Sequence, residues 1–214
     1  MNTKLQIALD DITFDAAMNL LRKIEPYIDI IEVGTPFMME YGMDAVRVFH
    51  ERFLNLEVLC DGKIMDAGYY EAMLTYKAGA DYSTVLAVTD DRTIIDTVKA
   101  ARESGRKAVA DTICVSNLSE RVLQLKEFGI DMISIHTGVD QQAQGRTPLD
   151  DLKKVRTFLP DMPLSVAGGI NVKTLSEYMK YRPDVIIVGG GIVHAEDPVV
   201  AAKELSEQIK KYSE

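Results

Sequence analysis

Eight short runs of β-branched and apolar residues, spread along the whole chain and separated by stretches of helical period, constrain the fold more than any other feature. The runs lie at 5–9, 28–33, 56–60, 82–86, 107–111, 132–136, 163–167 and 185–188. Between them the spacing of apolar residues predicts helices over 13–24, 41–53, 68–77, 93–104, 118–128, 149–158, 174–181 and 198–210. Dividing 214 residues among eight units leaves about 27 for each strand and helix, close to the minimum for a right-handed βαβ crossover. Strands that alternate with helices form a parallel sheet, and eight units is the count that closes a (β/α)8 TIM barrel of the α/β class. The competing arrangement, an open doubly wound sheet, calls for a glycine-rich loop after the first strand. That place holds Leu9-Asp10-Asp11-Ile12. No Pro/Ser-rich linker or shift of composition divides the chain, so 1–214 is read as one barrel domain.

Composition narrows the function classes. At 47% hydrophobic and 27% charged residues the chain is globular and not disordered. No 18 apolar residues run together, and the opening residues lack the apolar core and cleavage site of a secretory signal. A cytoplasmic location is the expectation. Lys and Arg total 24 against 33 Asp and Glu, a net charge of −9 without any basic block, so neither nucleic acid nor an anionic membrane is an expected partner. A phosphate-bearing substrate would likewise have to be held locally, by glycine turns, helix N-termini and one or two cations. Cys60 and Cys114 are isolated, which fits two ordinary buried cysteines better than a disulfide or zinc site.

Barrel chemistry sits at the C-terminal ends of the strands, and the residues expected there are unusually polar. Strand one ends in Asp10, strand two in Glu32, strand three in Asp61 with Lys63 and Asp66 beyond it, strand five in Asp111 and strand six in His136. Any one of these could be a solvated loop charge or a helix cap, but ionisable groups at a barrel mouth are costly unless they pair, bind metal or meet substrate. Glu32 and Asp61, on adjacent strands, suit an oxygen-ligated Mg²⁺, or equally Mn²⁺; the alternative is that both pair with Lys63. Lys63, two residues after Asp61, shares its face if the strand stays extended. Flanked by Asp61 and Asp66, it is held charged and can stabilise an anion, although a structural ion-pair ladder would look the same. Of three histidines only His136 ends a strand, where its ordinary pKa suits proton transfer. After strands seven and eight come Gly168-Gly169-Ile170-Asn171 and Gly189-Gly190-Gly191, the places where barrels cup phosphate. Asn171 is the expected N-cap of the helix that follows.

The run Asp61-Gly62-Lys63-Ile64-Met65-Asp66 carries an Asp-x-Lys-x-x-Asp motif, and the chain resembles the orotidine 5′-monophosphate decarboxylase suprafamily. Within that suprafamily it is similar to the 3-hexulose-6-phosphate synthases. The likeness extends through Leu5-Gln6-Ile7-Ala8-Leu9-Asp10, Ile31-Glu32-Val33-Gly34-Thr35-Pro36, His136-Thr137-Gly138 and both glycine turns. Related 3-keto-L-gulonate 6-phosphate decarboxylases have a glutamate where Asp111 stands and arginines near Thr137, Val139 and Gly191, so the departures favour the synthase. The resemblance implies a homodimeric lyase of aldolase type that condenses D-ribulose 5-phosphate with formaldehyde to D-arabino-3-hexulose 6-phosphate, with Mg²⁺. It implies Glu32 and Asp61 on the metal, His136 in proton transfer, Lys63 as charge stabiliser, and Asp10 and Asp111 orienting sugar hydroxyls or the histidine. Gly168, Gly169, Gly189 and Gly190 would face the phosphate, and Asp66 would reach the partner's site. The polar loop 139–145 would close over the sugar or serve as a plain connection. The remaining alternatives are the decarboxylase activity, or a sugar-phosphate-binding protein without catalysis.

Overall fold

The computed structural model describes residues 3–212. Its eight strands are β1 (Lys4–Leu9), β2 (Ile30–Val33), β3 (Glu57–Ile64), β4 (Tyr82–Leu86), β5 (Lys107–Asp111), β6 (Met132–His136), β7 (Leu164–Ala167) and β8 (Val185–Val188). They pair in parallel in chain order, and β8 returns to β1, so the sheet closes into a barrel. The helices are α1 (Phe14–Ile24), α2 (Thr35–Arg52), α3 (Gly68–Lys77), α4 (Asp91–Ser104), α5 (Leu118–Phe128), α6 (Val139–Gln142), α7 (Leu149–Phe158), α8 (Leu175–Met179), α9 (Gly190–Val193) and α10 (Pro198–Lys211).

Two apolar layers hold this arrangement. Leu5, Ile7, Leu9, Ile31, Val33, Val58 and Cys60 point outward from the strands and are buried under the helices. Inside the barrel, Ala8, Ile30, Leu59, Tyr82, Val109, Met132, Val185 and Ile187 form a second cluster. Side chains alternate faces along a strand, so consecutive residues serve different layers and the runs read as continuously apolar.

The N-terminal rim is built on a repeat that the sequence reading missed. Asp29, Asp81, Asp131 and Asp184 each immediately precede an even-numbered strand, and each carboxylate accepts from a backbone N–H at the opening of the strand before it. The donors of this bond are Leu5, Val58, Ala108 and Leu164, at 2.8, 2.9, 2.8 and 2.8 Å. Four clamps therefore tie the strands in pairs.

Several boundaries depart from expectation. α2 starts at Thr35, directly after β2, because Gly34-Thr35-Pro36 opens a helix with proline in its first turn. The left-handed Gly42 (φ 63°) kinks that helix, and only the part beyond the kink shows the expected period. Asn171 does not cap α8. Its Oδ1 accepts from Lys173 N (2.9 Å) in a turn ahead of a helix that begins at Leu175. Loop 139–145 contains the single turn α6, whose Gln142 Nε2 donates to Thr137 O (2.7 Å). Cys60 is buried as expected, with its thiol pushed up to about 12 by burial and by the Asp61 charge. Cys114 is exposed, because the loop after β5 turns through it in a left-handed conformation (φ 61°).

Candidate active site

Strand parity selects what enters the barrel. Ala8 faces inward, so Gln6 and Asp10 do too; by the same rule Glu32 follows Ile30, Asp61 follows Leu59, and Asp111 follows Val109. These side chains, with Thr35, Lys63, Thr84, Ser134, His136 and both glycine turns, line a cavity of about 720 Å³. It lies at the C-terminal ends of the strands, where the sequence placed the chemistry.

Asp61 is the hub. Its Oδ2 pairs with Lys63 Nζ (2.6 Å) and accepts from Thr35 Oγ1 (3.0 Å), while Oδ1 accepts from Thr84 Oγ1 (2.7 Å). Lys63 also reaches Asp111 Oδ2 (3.2 Å). Burial would strip the proton from Lys63, yet the Asp61 and Asp111 charges outweigh it and hold the ammonium well above the ordinary lysine range. The second acid beside the lysine is therefore Asp111 and not Asp66. The strand does not stay extended either. Lys63 adopts a left-handed backbone (φ 44°), which costs a residue with a Cβ roughly 1–2 kcal/mol. The convergence with Asp61 comes from that kink, not from period-two alternation.

His136 Nδ1 lies 2.9 Å from Asp111 Oδ2. A carboxylate can only accept, so the ring carries its proton on Nδ1 and leaves Nε2 free to take one. Asp111 also accepts from Ile113 N (2.8 Å). Burial alone would raise its pKa, but the hydrogen bond and charge of His136, with the Lys63 charge, hold the carboxyl below its ordinary value. Glu32 is driven the other way. Burial, then the charges of Asp61 and Asp10, raise it well above the ordinary glutamate range, opposed by the hydrogen bond from Gln6 Nε2 to its Oε2. Asp10, at the open mouth, is raised by desolvation and then by Asp61. Three acids thus crowd one side of the cavity and repel one another.

The glycine turns line the same cavity, on β7 and β8, between His136 and Asp10 around the rim. Gly168 and Gly169 have φ of 130° and 69°, and a Cβ on Gly168 would meet Thr137 O at 2.7 Å, so this backbone path needs glycine. Gly189 and Gly190 line the same wall at the start of α9. Asp66 is absent from this cavity; it is exposed, and its Oδ1 accepts from Ala67 N (2.7 Å). Gln6, Thr35 and Thr84 were not singled out as site residues in the sequence; for Gln6 and Thr84 the available signal was a polar side chain at a barrel-facing position of a buried run. His194 also lines the cavity, with Nε2 at 3.8 Å from Asp11 Oδ2.

Known proteins match this chain over nearly its whole length. The profile of the Orotidine 5'-phosphate decarboxylase / HUMPS family matches residues 3–205. A 3-hexulose-6-phosphate synthase of Staphylococcus epidermidis is 42% identical over 207 residues, which cover 97% of this chain and 99% of that one. The crystal structure of 3-hexulose-6-phosphate synthase from Salmonella typhimurium superposes with a TM-score of 0.96 at 46% identity, covering 98% of this chain and all of its own. A crystal structure of KGPDC from Streptococcus mutans, solved as a complex, is more distant, with a TM-score of 0.90 at 26% identity and 98% of each chain covered. On these matches the chain belongs to the orotidine 5′-phosphate decarboxylase / HUMPS family and, within it, to the 3-hexulose-6-phosphate synthases.

Proposed function

We propose that the chain is an aldolase-type lyase that condenses D-ribulose 5-phosphate with formaldehyde to D-arabino-3-hexulose 6-phosphate. The observation that carries this reading is one cavity lined both by an acid–lysine–histidine cluster and by two glycine turns. A pentulose phosphate spans such a cavity with its phosphoryl end on the amides of Gly168, Gly169, Gly189 and Gly190, and its ketose end beside His136. The names of the synthase relatives support the choice of reaction.

The donor set fits a divalent cation. Glu32 and Asp61 are buried carboxylates whose charges oppose each other, relieved by one lysine. Asp61 Oδ1 has one hydrogen-bond donor on it, so a lone pair remains. Two carboxylates suit Mg²⁺, an ion that keeps several water or substrate oxygens and does not call for a full protein cage. When held by Glu32 and Asp61, Mg²⁺ supplies a Lewis acid that lowers the cost of an enediolate.

The chain's own groups carry the rest. His136 Nε2 takes a proton from C1 of the ketose, Asp111 holds the ring and stabilises the imidazolium, and Lys63 offsets the negative charge of the enediolate. C1 then bonds to the formaldehyde carbon, and the proton returns from His136 to what was the aldehyde oxygen. Asp10 receives sugar hydroxyls at the mouth. The site is completed in a homodimer, with Asp66 reaching the partner's cavity.

The test is formaldehyde consumption by purified protein with and without ribulose 5-phosphate and chelator. Loss of formaldehyde should need the pentulose phosphate, stop with EDTA and return with Mg²⁺. Faster release of CO₂ from 3-keto-L-gulonate 6-phosphate, by kcat/KM, would replace this reading with the decarboxylase.

A further inference from the structure

Strands β3 and β4 fall out of register beside the active site. Leu59 faces Tyr82 and Cys60 faces Ser83, but the next pair is Ile64 with Val85. Four steps along β3 are matched by two along β4, so Asp61, Gly62 and Lys63 form a bulge opposite Thr84. A bulge interrupts the ladder and re-aims side chains. Here Lys63 falls outside the β3–β4 register with a left-handed backbone, and its amide turns to a side chain. One hydroxyl serves both Lys63 and Asp61: Thr84 Oγ1 accepts from Lys63 N (3.0 Å) and donates to Asp61 Oδ1 (2.7 Å). Thr84 is buried, and its hydroxyl makes both bonds within the wall of the cavity.

We infer that Thr84 is a positioning residue for this reaction: its hydroxyl locks the strained Lys63 backbone and the Asp61 carboxylate into one rigid unit, so that ammonium and carboxylate are set together. The inference rests on the proposed aldol reading for its kinetic consequence but not for its structural one. A hydroxyl is required because the group must accept and donate at once. Valine matches threonine in shape and can do neither. Alanine would add a cavity. Serine keeps both bonds.

The experiment compares wild type, Thr84→Val and Thr84→Ser. Kinetics would be followed with ribulose 5-phosphate and formaldehyde, Mn²⁺ affinity would be measured by EPR without substrate, and crystal structures would report the Lys63 backbone. Removing an outer support of this kind typically costs 10–100-fold in activity or metal affinity. Thr84→Val should therefore lose about 10- to 100-fold in kcat and weaken Mn²⁺ about 10-fold or more. Its KM for the pentulose phosphate, set mainly by the glycine turns, should stay within about threefold, and Lys63 should leave the left-handed region. Thr84→Ser should stay within about threefold of wild type in each measure. A merely structural threonine would change the thermal midpoint and leave these measures alone. Wild-type kcat, Mn²⁺ affinity and Lys63 geometry in Thr84→Val would overturn the inference. If wild type fails to condense the substrates, the aldol reading falls, and Mn²⁺ affinity together with the Lys63 conformation in Thr84→Val still decides the role of Thr84.

Discussion

Asp111 shows how one buried carboxylate can serve three partners. It holds the His136 ring, pairs with Lys63 and accepts the Ile113 amide, so both of its oxygens are occupied within a nearly closed environment. Burying a charge is repaid only when such partners are complete. A carboxyl whose folded pKa is depressed adds stability above its ordinary value, and that contribution is lost as pH falls through the lower folded value. Asp111→Asn is thus expected to cost about 1.5–3 kcal/mol at neutral pH, with the gap from wild type closing below about pH 4. Urea midpoints at pH 7 and in the acid range would check this, and an equal gap at both would refute it. Because the amide can no longer hold the ring in one tautomer, kcat should fall at least about 10-fold as well.

At the scale of elements, the two ends of the barrel divide stability from chemistry. The aspartate clamps at Asp29, Asp81, Asp131 and Asp184 bind strand openings on the N-terminal rim, far from the cavity. Asp131 supports Ala108 N and enters no ion pair among the described residues. Asp131→Ala should lower the unfolding free energy by about 1 kcal/mol. Its kcat and KM should match wild type, and a kinetic change as large as the stability change would contradict the division. At the opposite rim the irregular backbone belongs to the site itself. The β3 bulge, the left-handed Lys63 and Ala67, and Gly168 and Gly169 all cluster near the strand ends that carry the site. Strained conformations persist where surrounding structure over-determines them, as the Thr84 and Asp61 contacts do here.

For the whole molecule, Asp66 is the residue that tests the assembly. It lies in the motif that the resemblance singled out, yet it is exposed and outside its own cavity. If each site of a homodimer borrows the partner's Asp66, then Asp61→Asn and Asp66→Asn chains should each be inactive alone and complement when refolded together. Random pairing puts one intact site in half of the dimers, so about a quarter of wild-type activity should return. Mixtures that stay inactive would assign Asp66 elsewhere. The sequence specifies a closed barrel over an open sheet through eight evenly spaced apolar runs with no glycine loop after the first. It also determined which polar groups gather at the rim, since side-chain parity carries Glu32, Asp61, Asp111 and His136 inward once the strands are set. The partnerships came from packing across the barrel: Asp111 with Lys63, Thr84 with the bulge, Gln6 with Glu32, and the four clamps. Each depends on register between strands about 20 residues or more apart, and the two that involve Lys63 depend also on a left-handed backbone that no local preference favours.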